Sequence, residues 1–328
     1  MNFLIPRGNN ALDINPPNAD RHLTTNGSNW LWACTAAFGV TFMSWLVWTI
    51  LLRRPITHNT TAPGVDDRAE EAAKRARHGA ALNTTRRGER VFHYLLTTAA
   101  FVGLIAYFTM ASGLGSTPVQ QYLNTGVENG SGMQTRQIFY ARYIYWFISW
   151  PLLLIAVLLL SDLSWATILF SVAVLEIWVV SWLSGALVHS SYRWGYFTFG
   201  LIAYLVLAFI LLVWGVSSSL SLGFSKSYVL LASLLVLVWM VYPISWGLSE
   251  GSNRLSVTGE MVFYGILDLI SVPIYGTLLL VLSRRLDHRS LFAFTQRGRT
   301  SGREGPLTSS YGPMNSGHDV PVVVQGAV

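Results

Sequence analysis

The sequence predicts an all-α membrane protein that is built as a bundle of seven transmembrane helices. Hydrophobic residues make up 52% of the 328 positions and charged residues 12%, and the mean hydropathy is +0.43. This composition is too apolar and too poor in charge for a soluble domain of this length. Seven runs reach the roughly 20 apolar residues that cross a bilayer, and none alternates like a barrel strand. The expected spans, within a domain of residues 30–283, are 30–52, 92–113, 138–160, 165–188, 195–216, 228–249 and 260–283.

The segments outside these runs predict three further parts of the chain. Residues 1–29 are polar and lack the apolar core and cleavage site of a removable signal peptide. The connection 53–91 is long, and its Glu70 and Lys74 stand four residues apart, which favours a short solvated helix. Residues 284–328 turn to Gly, Ser, Arg and Pro. Because that composition cannot bury a core, we expect a disordered tail.

The basic residues sort by membrane side. Sixteen of the 22 Lys and Arg residues flank the predicted spans on one side and five on the other, and Arg142 remains within a span. The positive-inside rule then predicts an amino terminus outside and a carboxyl terminus in the cytosol. Basic loops beside a lipid bilayer also explain the sequence pI near 9.5 better than nucleic-acid binding does. The alternative for the charges of the loop 53–91 is attraction to anionic lipids of the inner leaflet.

Three ionisable side chains stand out inside the predicted spans: Arg142, Glu176 and Asp268. A charged group in the middle of a membrane helix costs about 2.5–3.5 kcal/mol or more, so each is a candidate for function. Other site classes have weaker signals. Cys34 is the only cysteine, and the histidines lie singly without the spacing of metal ligands. No phosphate loop or nucleophile elbow occurs, so neither a metal site nor an enzyme is expected.

The third predicted span, ARYIYWFISWPLLLIAVLLL (141–160), resembles the third helix of the microbial rhodopsins, whose pattern is ARYxDW…PLLLxD. Arg142 and Trp146 match that pattern. Two carboxylates that the family uses to move protons are replaced, because Tyr145 stands at the position of the counterion and Ala156 at that of the cytoplasmic proton donor. The resemblance therefore implies the fold of a microbial rhodopsin without the parts of its proton pump.

The sixth span, VWMVYPISWGLSEG, is similar to the family's sixth helix. Trp239, Tyr242 and Trp246 match the aromatic walls of the retinal pocket. In the third span, Trp150 stands where proton pumps have a smaller Thr, and with the Tyr145 ring it is expected to fill the retinal volume. We refer to six positions as the pocket residues: Tyr145, Trp146, Trp150, Trp239, Tyr242 and Trp246.

The seventh span, GILDLISVPIYGTLLL, resembles the helix that carries retinal in the family. There, an Asp is followed four residues later by the Lys that forms the Schiff base, whereas here Asp268 is followed by Val272. The chain has only two lysines, Lys74 and Lys226, both outside the predicted spans. No covalent retinal is therefore expected. Pro273, next to the missing lysine, is expected to kink or loosen the helix.

The stretch RGNNALDINPPNADRHLTTNGSNWLWA (7–33) resembles the amino-terminal segment of the fungal opsin-related proteins, the lysine-free branch that contains the yeast membrane heat-shock protein and its relatives. The resemblance implies a retinal-free protein of the fungal plasma membrane, with a stress-associated regulatory or binding role. The implied partner is a plasma-membrane proton pump. An oligomer is compatible with the sequence.

Two other functions remain open. One is a proton or ion pathway through Arg142, Glu176 and Asp268, and the other is a sensor whose pocket residues bind a hydrophobic ligand without a covalent bond. In the family's packing, Asp268 is expected to pair with Arg142 and to accept a hydrogen bond from Tyr145. Such a buried pair needs further hydrogen bonds to offset desolvation. Glu176 is expected to be protonated and bonded to a neighbouring helix.

Overall fold

The computed structural model describes residues 9–52, 68–121, 134–161, 163–220 and 225–284, without the side chains of residues 68–89. These residues form seven helices of membrane length, which confirms the predicted fold class. The tail from residue 285 onward, for which disorder is predicted, lies outside the described residues. The helices are α1 (Thr25–Leu51), α2 (Arg68–Ala111, with its apolar part at Arg90–Ala111), α3 (Tyr140–Leu158), α4 (Trp165–Leu187), α5 (Arg193–Ser219), α6 (Ser225–Gly251) and α7 (Val257–Ser283).

Two helices extend further than their apolar runs. α1 begins at Thr25, because the side chain of Thr24 accepts a hydrogen bond from the Gly27 amide and so caps a polar first turn. The helix expected as a separate piece of the loop 53–91 is instead continuous with α2. No proline interrupts the chain between residues 68 and 111, so the charged helix runs directly into the apolar one.

In the part of the chain that the structure describes, three helices contain a π-helical turn: Ile210–Trp214 in α5, Gly247–Gly251 at the end of α6 and Ile270–Ile274 in α7. Pro273 lies inside the turn of α7. Because proline has no N–H to donate, it breaks the regular hydrogen bonding of the helix, and a π turn absorbs the break. The expected loosening of this helix beside Val272 is therefore present as a π turn.

A small β-hairpin, absent from the sequence prediction, covers one end of the bundle. β1 (Thr117–Gln120) pairs antiparallel with β2 (Thr135–Ile138). The apolar run assigned to the third span from residue 138 thus begins inside a strand, and α3 begins at Tyr140. We call this end the hairpin end. It also holds the connections from α4 to α5 and from α6 to α7.

Residues 9–24 are packed onto the hairpin end. The Arg21 amide donates to the Thr135 carbonyl at 3.0 Å, and the Gln137 amide donates to the Arg21 carbonyl at 2.9 Å, so this segment runs beside β2. The Leu23 side chain is fully buried, and its amide donates to Oε1 of Gln137 at 2.9 Å. The amino-terminal segment is thus a structured cover, and the hydrogen bonds that hold it involve residues more than 100 positions away.

The contact between Asp20 and Thr135 gives this cover a predicted acid sensitivity. Hydrogen bonds from the amide and the hydroxyl of Thr135 to Oδ2 of Asp20, at 2.8 and 2.9 Å, hold the pKa of this carboxyl below its ordinary value of 3.8. A lowered pKa in the folded state stabilises the protein above the unfolded value, and this stabilisation is lost as the pH falls through the folded pKa. Asp20→Asn should therefore lower the thermal midpoint at about pH 6 but have less effect at about pH 3. An equal effect at both pH values would contradict the assignment.

Candidate functional site: two buried polar clusters and an aromatic core

Helix α3 directs several of the predicted site residues into the bundle. Arg142, Tyr145, Trp146, Ser149 and Trp150 are spaced by three or four residues, so they share one face of the helix, and all five are buried. Because this face meets different helices at different depths, it contributes to two separate polar clusters and to an aromatic core.

The first cluster surrounds Asp268. Its Oδ2 accepts from the Tyr107 hydroxyl at 2.6 Å, and its Oδ1 accepts from the Trp146 indole N–H at 3.0 Å and from the Tyr242 hydroxyl at 2.8 Å. The Asp268 side chain is fully buried. Three neutral donors from three other helices thus satisfy a carboxyl group that has no cation in hydrogen-bonding distance among the described residues.

The expected pairing of Asp268 with Arg142 is wrong, and so is the expected hydrogen bond from Tyr145. The hydroxyl of Tyr145 is buried without a hydrogen-bond partner in the described part of the chain. Its ring packs against Phe38 and Tyr107, at centroid distances of 5.8 and 6.1 Å. The donors to Asp268 are instead the hydroxyls of Tyr107 and Tyr242 and the indole N–H of Trp146.

The second cluster holds Arg142 at the hairpin end. Nη2 of Arg142 contacts Oε1 of Glu250 at 2.6 Å and Oε1 of Glu260 at 2.5 Å. The other oxygen of Glu260 contacts Nη2 of Arg136 at 2.6 Å. All four side chains are at most 1% exposed. Glu260 therefore bridges two arginines, and we call these four residues the charge network.

Neutral donors complete the charge network. Glu250 accepts from the Tyr143 hydroxyl at 2.9 Å and from the Tyr264 hydroxyl at 3.2 Å, and it forms a short hydrogen bond with Ser249. Arg136 donates to the Asn253 side chain at 2.6 Å. Asn253 has a φ of 58°, a left-handed conformation that asparagine adopts more readily than most residues. Two positive and two negative charges thus balance, with hydrogen bonds to offset part of their desolvation.

Sequence analysis missed Glu250, Glu260 and Arg136. Glu250 stands one residue past the predicted sixth span, Glu260 is the first residue of the seventh, and Arg136 was assigned to an outer loop. Span boundaries drawn from hydropathy leave charged residues at the ends of the spans or just beyond them, so ion pairs at helix ends are overlooked. One feature of the sequence could have revealed this cluster. The connection between α6 and α7 is short, so it brings the two glutamates to the end of the bundle at which α3 begins with Arg142 in its first turn.

The aromatic core occupies the centre of the bundle. The Trp150 ring packs against Trp146, Trp178, Trp239 and Tyr242, with centroid distances of 4.9, 5.1, 5.4 and 4.8 Å. All five rings are fully buried. Four of the six pocket residues, including Trp150 itself, thus pack against one another. Because protein interiors are closely packed, the rings themselves fill the volume between them.

The remaining pocket residues lie apart from Trp150. Trp246 stacks on Phe197 at 5.2 Å and packs against Trp182 at 6.1 Å, in a group formed with α4 and α5. Tyr145 faces α1 and α2, as described above. Trp246 is thus connected to Trp150 through the rings of Trp182 and Trp178, whereas the ring contacts of Tyr145 are with Phe38 and Tyr107.

Val272 is fully buried one helical turn after Asp268. Neither lysine of the chain can occupy this region. Lys226 is exposed in the first turn of α6, at the end of the bundle opposite the hairpin, and Lys74 precedes the apolar part of α2. The centre of the bundle thus offers no amine for a Schiff base.

Glu176 lies on α4 and is half-buried. Its Oε2 is buried and has no hydrogen-bond partner within the described ranges. The expected hydrogen bond to a neighbouring helix is therefore not formed among the described residues. No group of three or more His, Cys, Asp or Glu side chains that could hold a metal ion occurs in the described part of the chain.

This fold, with a buried carboxyl group and aromatic walls at the centre of seven helices, defines an opsin-type membrane protein. The chain belongs to the family described as bacteriorhodopsin-like protein, whose model matches residues 80–286.

Relatives and solved structures agree with that assignment. The chain is 36% identical over 292 residues to the opsin-like protein carO of Fusarium fujikuroi, covering 87% of this chain and 84% of that protein. It is 34% identical over 296 residues to the 30 kDa heat shock protein of Saccharomyces cerevisiae, covering 84% and 79%. The crystal structure of the light-driven proton pump rhodopsin of Coccomyxa subellipsoidea superposes with a TM-score of 0.64, at 26% identity, over 80% of this chain and 98% of that one. The predicted resemblance to fungal opsin-related proteins is confirmed.

Proposed function

We propose that this protein is a retinal-free opsin-related protein of the fungal plasma membrane that acts by binding and regulating another membrane protein. The observation that carries the proposal is the filled centre of the bundle. Val272 stands at the retinal lysine position, and the Trp150 ring contacts four other rings where a polyene would lie. A scaffold that keeps its helices while losing its chromophore site retains its surfaces for binding.

The proposed role is associated with stress, and the proposed partner is a plasma-membrane proton pump. Support for the stress association is the likeness to a relative that is named a heat shock protein. The proposed orientation has the amino terminus outside, because the basic residues cluster at the other side of the predicted spans. In this orientation the hairpin end faces outward, and the end of the bundle with Lys226 faces the cytosol.

The test is purification of the tagged protein, after chemical crosslinking, from membranes of heat-stressed and unstressed fungal cells. We expect the proton-pumping ATPase to be enriched, and more strongly after stress. Co-reconstitution of the two proteins in vesicles should then change the rate of ATP hydrolysis by the pump. Vesicles with an unrelated seven-helix protein at the same density are the control. No enrichment and no change in rate would contradict the proposal.

The ion pathway is a second candidate, and the observation in its favour is the buried polar groups that reach from the hairpin end to Asp268. Beyond Asp268, towards the opposite end, the buried core includes the apolar side chains Leu153, Ala156, Leu231 and Leu235. A conducting protein would have to open this region. Transport predicts ion currents in reconstituted vesicles that vanish in Asp268→Asn, whereas the regulator predicts no current in either protein.

The ligand sensor is favoured by a different observation. The indole N–H groups of Trp150, Trp178 and Trp239 and the hydroxyl of Ser245 are buried without a hydrogen-bond acceptor among the described residues. An apolar ligand with one or two acceptor oxygens would satisfy such donors. A sensor predicts a hydrophobic molecule that copurifies with the wild-type protein and is absent after bulky substitutions at Trp239 or Trp246. The regulator predicts no such molecule.

A further inference from the structure

The helices α1, α2 and α7 come together at the end of the bundle opposite the hairpin. Nη2 of Arg90 on α2 donates to the carbonyl of Leu52, which follows α1, at 3.4 Å. The guanidinium carbon of Arg284, which follows α7, lies 4.8 Å from the centre of the Trp48 ring on α1. The Trp48 ring also packs against His93 of α2, with 4.8 Å between ring centres. Two arginines from two helices are thus held beside the last turn of α1.

These two arginines stand at the boundary between the hydrocarbon and the lipid headgroups. Arg90 is the first residue of the apolar part of α2, and Arg284 directly follows the last residue of α7. Arg284 is exposed and Arg90 is partly exposed. On the neighbouring last turns of α1, the apolar side chains of Val47 and Leu51 are exposed and face lipid. A molecule bound here therefore meets cations at one end and apolar surface along the rest of its length.

Further cations of α2 lie close to Arg90 in the helix. Residues 72–90 hold six Lys and Arg residues and one Glu. Arg86 and Arg87 precede Arg90 by four and three residues, so they lie on the same side of the helix and about 4.5–6 Å further from the bilayer core. Lipid headgroups extend about 5–8 Å from the hydrocarbon on each side. The positive charge of this part of α2 is therefore placed at the depth of the headgroups.

The charge of Arg90 is not balanced within the described structure. No carboxylate whose side chain the structure describes lies within ion-pair distance of Arg90, whereas Arg136 and Arg142 both contact glutamates at the hairpin end. Guanidinium groups bind phosphate through charge-assisted hydrogen bonds. An anionic phospholipid supplies the phosphate, the negative charge and acyl chains at the depth where this surface needs them.

We infer that the ends of α1, α2 and α7 form a binding site for one anionic phospholipid. Arg90 and Arg284 bind its headgroup, and its acyl chains lie along the exposed face of α1. The attraction of the basic connection to anionic lipids thereby becomes a site with defined residues. In the proposed orientation the lipid belongs to the inner leaflet. Only this choice of leaflet rests on the proposed orientation, and the site itself does not.

Native mass spectrometry of the full-length protein, released from micelles that contain phosphatidylserine or phosphatidylcholine, tests the inference. We expect one tightly bound phosphatidylserine per chain, and about 25-fold weaker binding of phosphatidylcholine, for two cations that contribute about fivefold each. Arg90→Gln and Arg284→Gln should each weaken the binding of phosphatidylserine about fivefold and leave that of phosphatidylcholine unchanged. Equal binding of both lipids by the wild type would overturn the inference.

Two control variants separate a defined site from the total charge of the protein. Arg254→Gln removes an exposed arginine at the hairpin end and should leave the binding of phosphatidylserine unchanged. Arg90→Lys keeps the charge and should retain most of the binding. An equal loss in Arg254→Gln would contradict a site at α1, α2 and α7. Excess inorganic phosphate should not displace the lipid, because it lacks acyl chains, and displacement by phosphate would refute a lipid site.

Thermal unfolding in nanodiscs gives a second readout, because a ligand that binds only the folded state raises the midpoint. Phosphatidylserine added to phosphatidylcholine should raise the midpoint of the wild type and of Arg254→Gln, but not that of the double variant Arg90→Gln/Arg284→Gln. The shift is compared within each protein, so a difference in starting stability does not affect the result. An equal rise in the double variant would argue against the site. Neither measurement involves the proposed pump partner, so the two proposals fail independently.

Discussion

Val272→Lys combined with Trp150→Thr should convert this protein into one that binds retinal covalently, whereas Val272→Lys alone should not. The measurement is the visible absorption band after addition of all-trans-retinal to protein in nanodiscs, followed by borohydride trapping of the Schiff base. We expect no band and no covalent label in the single variant. The double variant should show both, approaching one retinal per chain.

The reason for requiring two substitutions is steric. A lysine at position 272 would place its amine one turn from Asp268, whose carboxyl group could then serve as the counterion of a protonated Schiff base. In the single variant, the Trp150 ring still packs within 5.4 Å, centroid to centroid, of Trp146, Trp239 and Tyr242. Threonine at position 150 removes the indole ring from the middle of that stack, and retinal can fill the cavity that remains.

Val272→Lys combined with Trp150→Phe is the matched control, since phenylalanine keeps an aromatic ring in the stack. This variant should bind much less retinal than the threonine variant. A strong band in Val272→Lys alone would show that the aromatic core does not exclude the polyene. A folded threonine variant without any band would show that a barrier other than Trp150 keeps retinal out.

Glu260→Gln should lower the free energy of unfolding by about 3–5 kcal/mol, because removing one member of a buried ion pair leaves its partner charge uncompensated. Glu260 contacts both Arg136 and Arg142 at 2.5–2.6 Å, and all three side chains are buried. The glutamine would leave two arginines with one carboxylate between them. The measurement is thermal or denaturant unfolding of the protein in nanodiscs, monitored by the change in its tryptophan fluorescence.

Two variants separate the loss of charge from the loss of shape. Glu250→Gln should cost less than Glu260→Gln, because Glu250 contacts one arginine of the charge network and Glu260 still bridges both. Adding Arg136→Met to Glu260→Gln restores the charge balance and should recover part of the lost stability. Additive effects of the two substitutions, with no recovery, would contradict the ion-pair explanation.

Much of the fold was predictable because hydropathy is a local property. Each span was found from its own apolar run, and a kink or loosening of α7 was anticipated from Pro273 alone. The hairpin was missed because Thr135–Ile138 pairs with Thr117–Gln120 across a connection, and neither short strand carries a strong pattern. The extension of α2 was missed because charged residues were assumed to end the helix.

The candidate site was only partly predictable. The residues that face the interior of α3 follow from helical spacing, and Trp150 as a filler of the retinal volume follows from the resemblance. The hydrogen-bond and ion-pair partners of the buried polar residues did not follow from the sequence. Asp268 and Arg142 were expected to pair, yet each has other partners, because Glu250 and Glu260 lie closer in depth to Arg142. Helix rotation and depth are decided by packing between helices, and a single sequence does not show them.

By itself, the sequence determined that the chain crosses a membrane seven times and that no lysine stands at the retinal position, because composition and residue identity need no knowledge of packing. Only the tertiary structure decided that Tyr107, Trp146 and Tyr242 hold Asp268, that Glu260 joins Arg136 to Arg142, and that Oε2 of Glu176 has no hydrogen-bond partner among the described residues. Hydrogen bonds and ion pairs between helices form over a few ångströms. Their partners are therefore set by how the helices pack together.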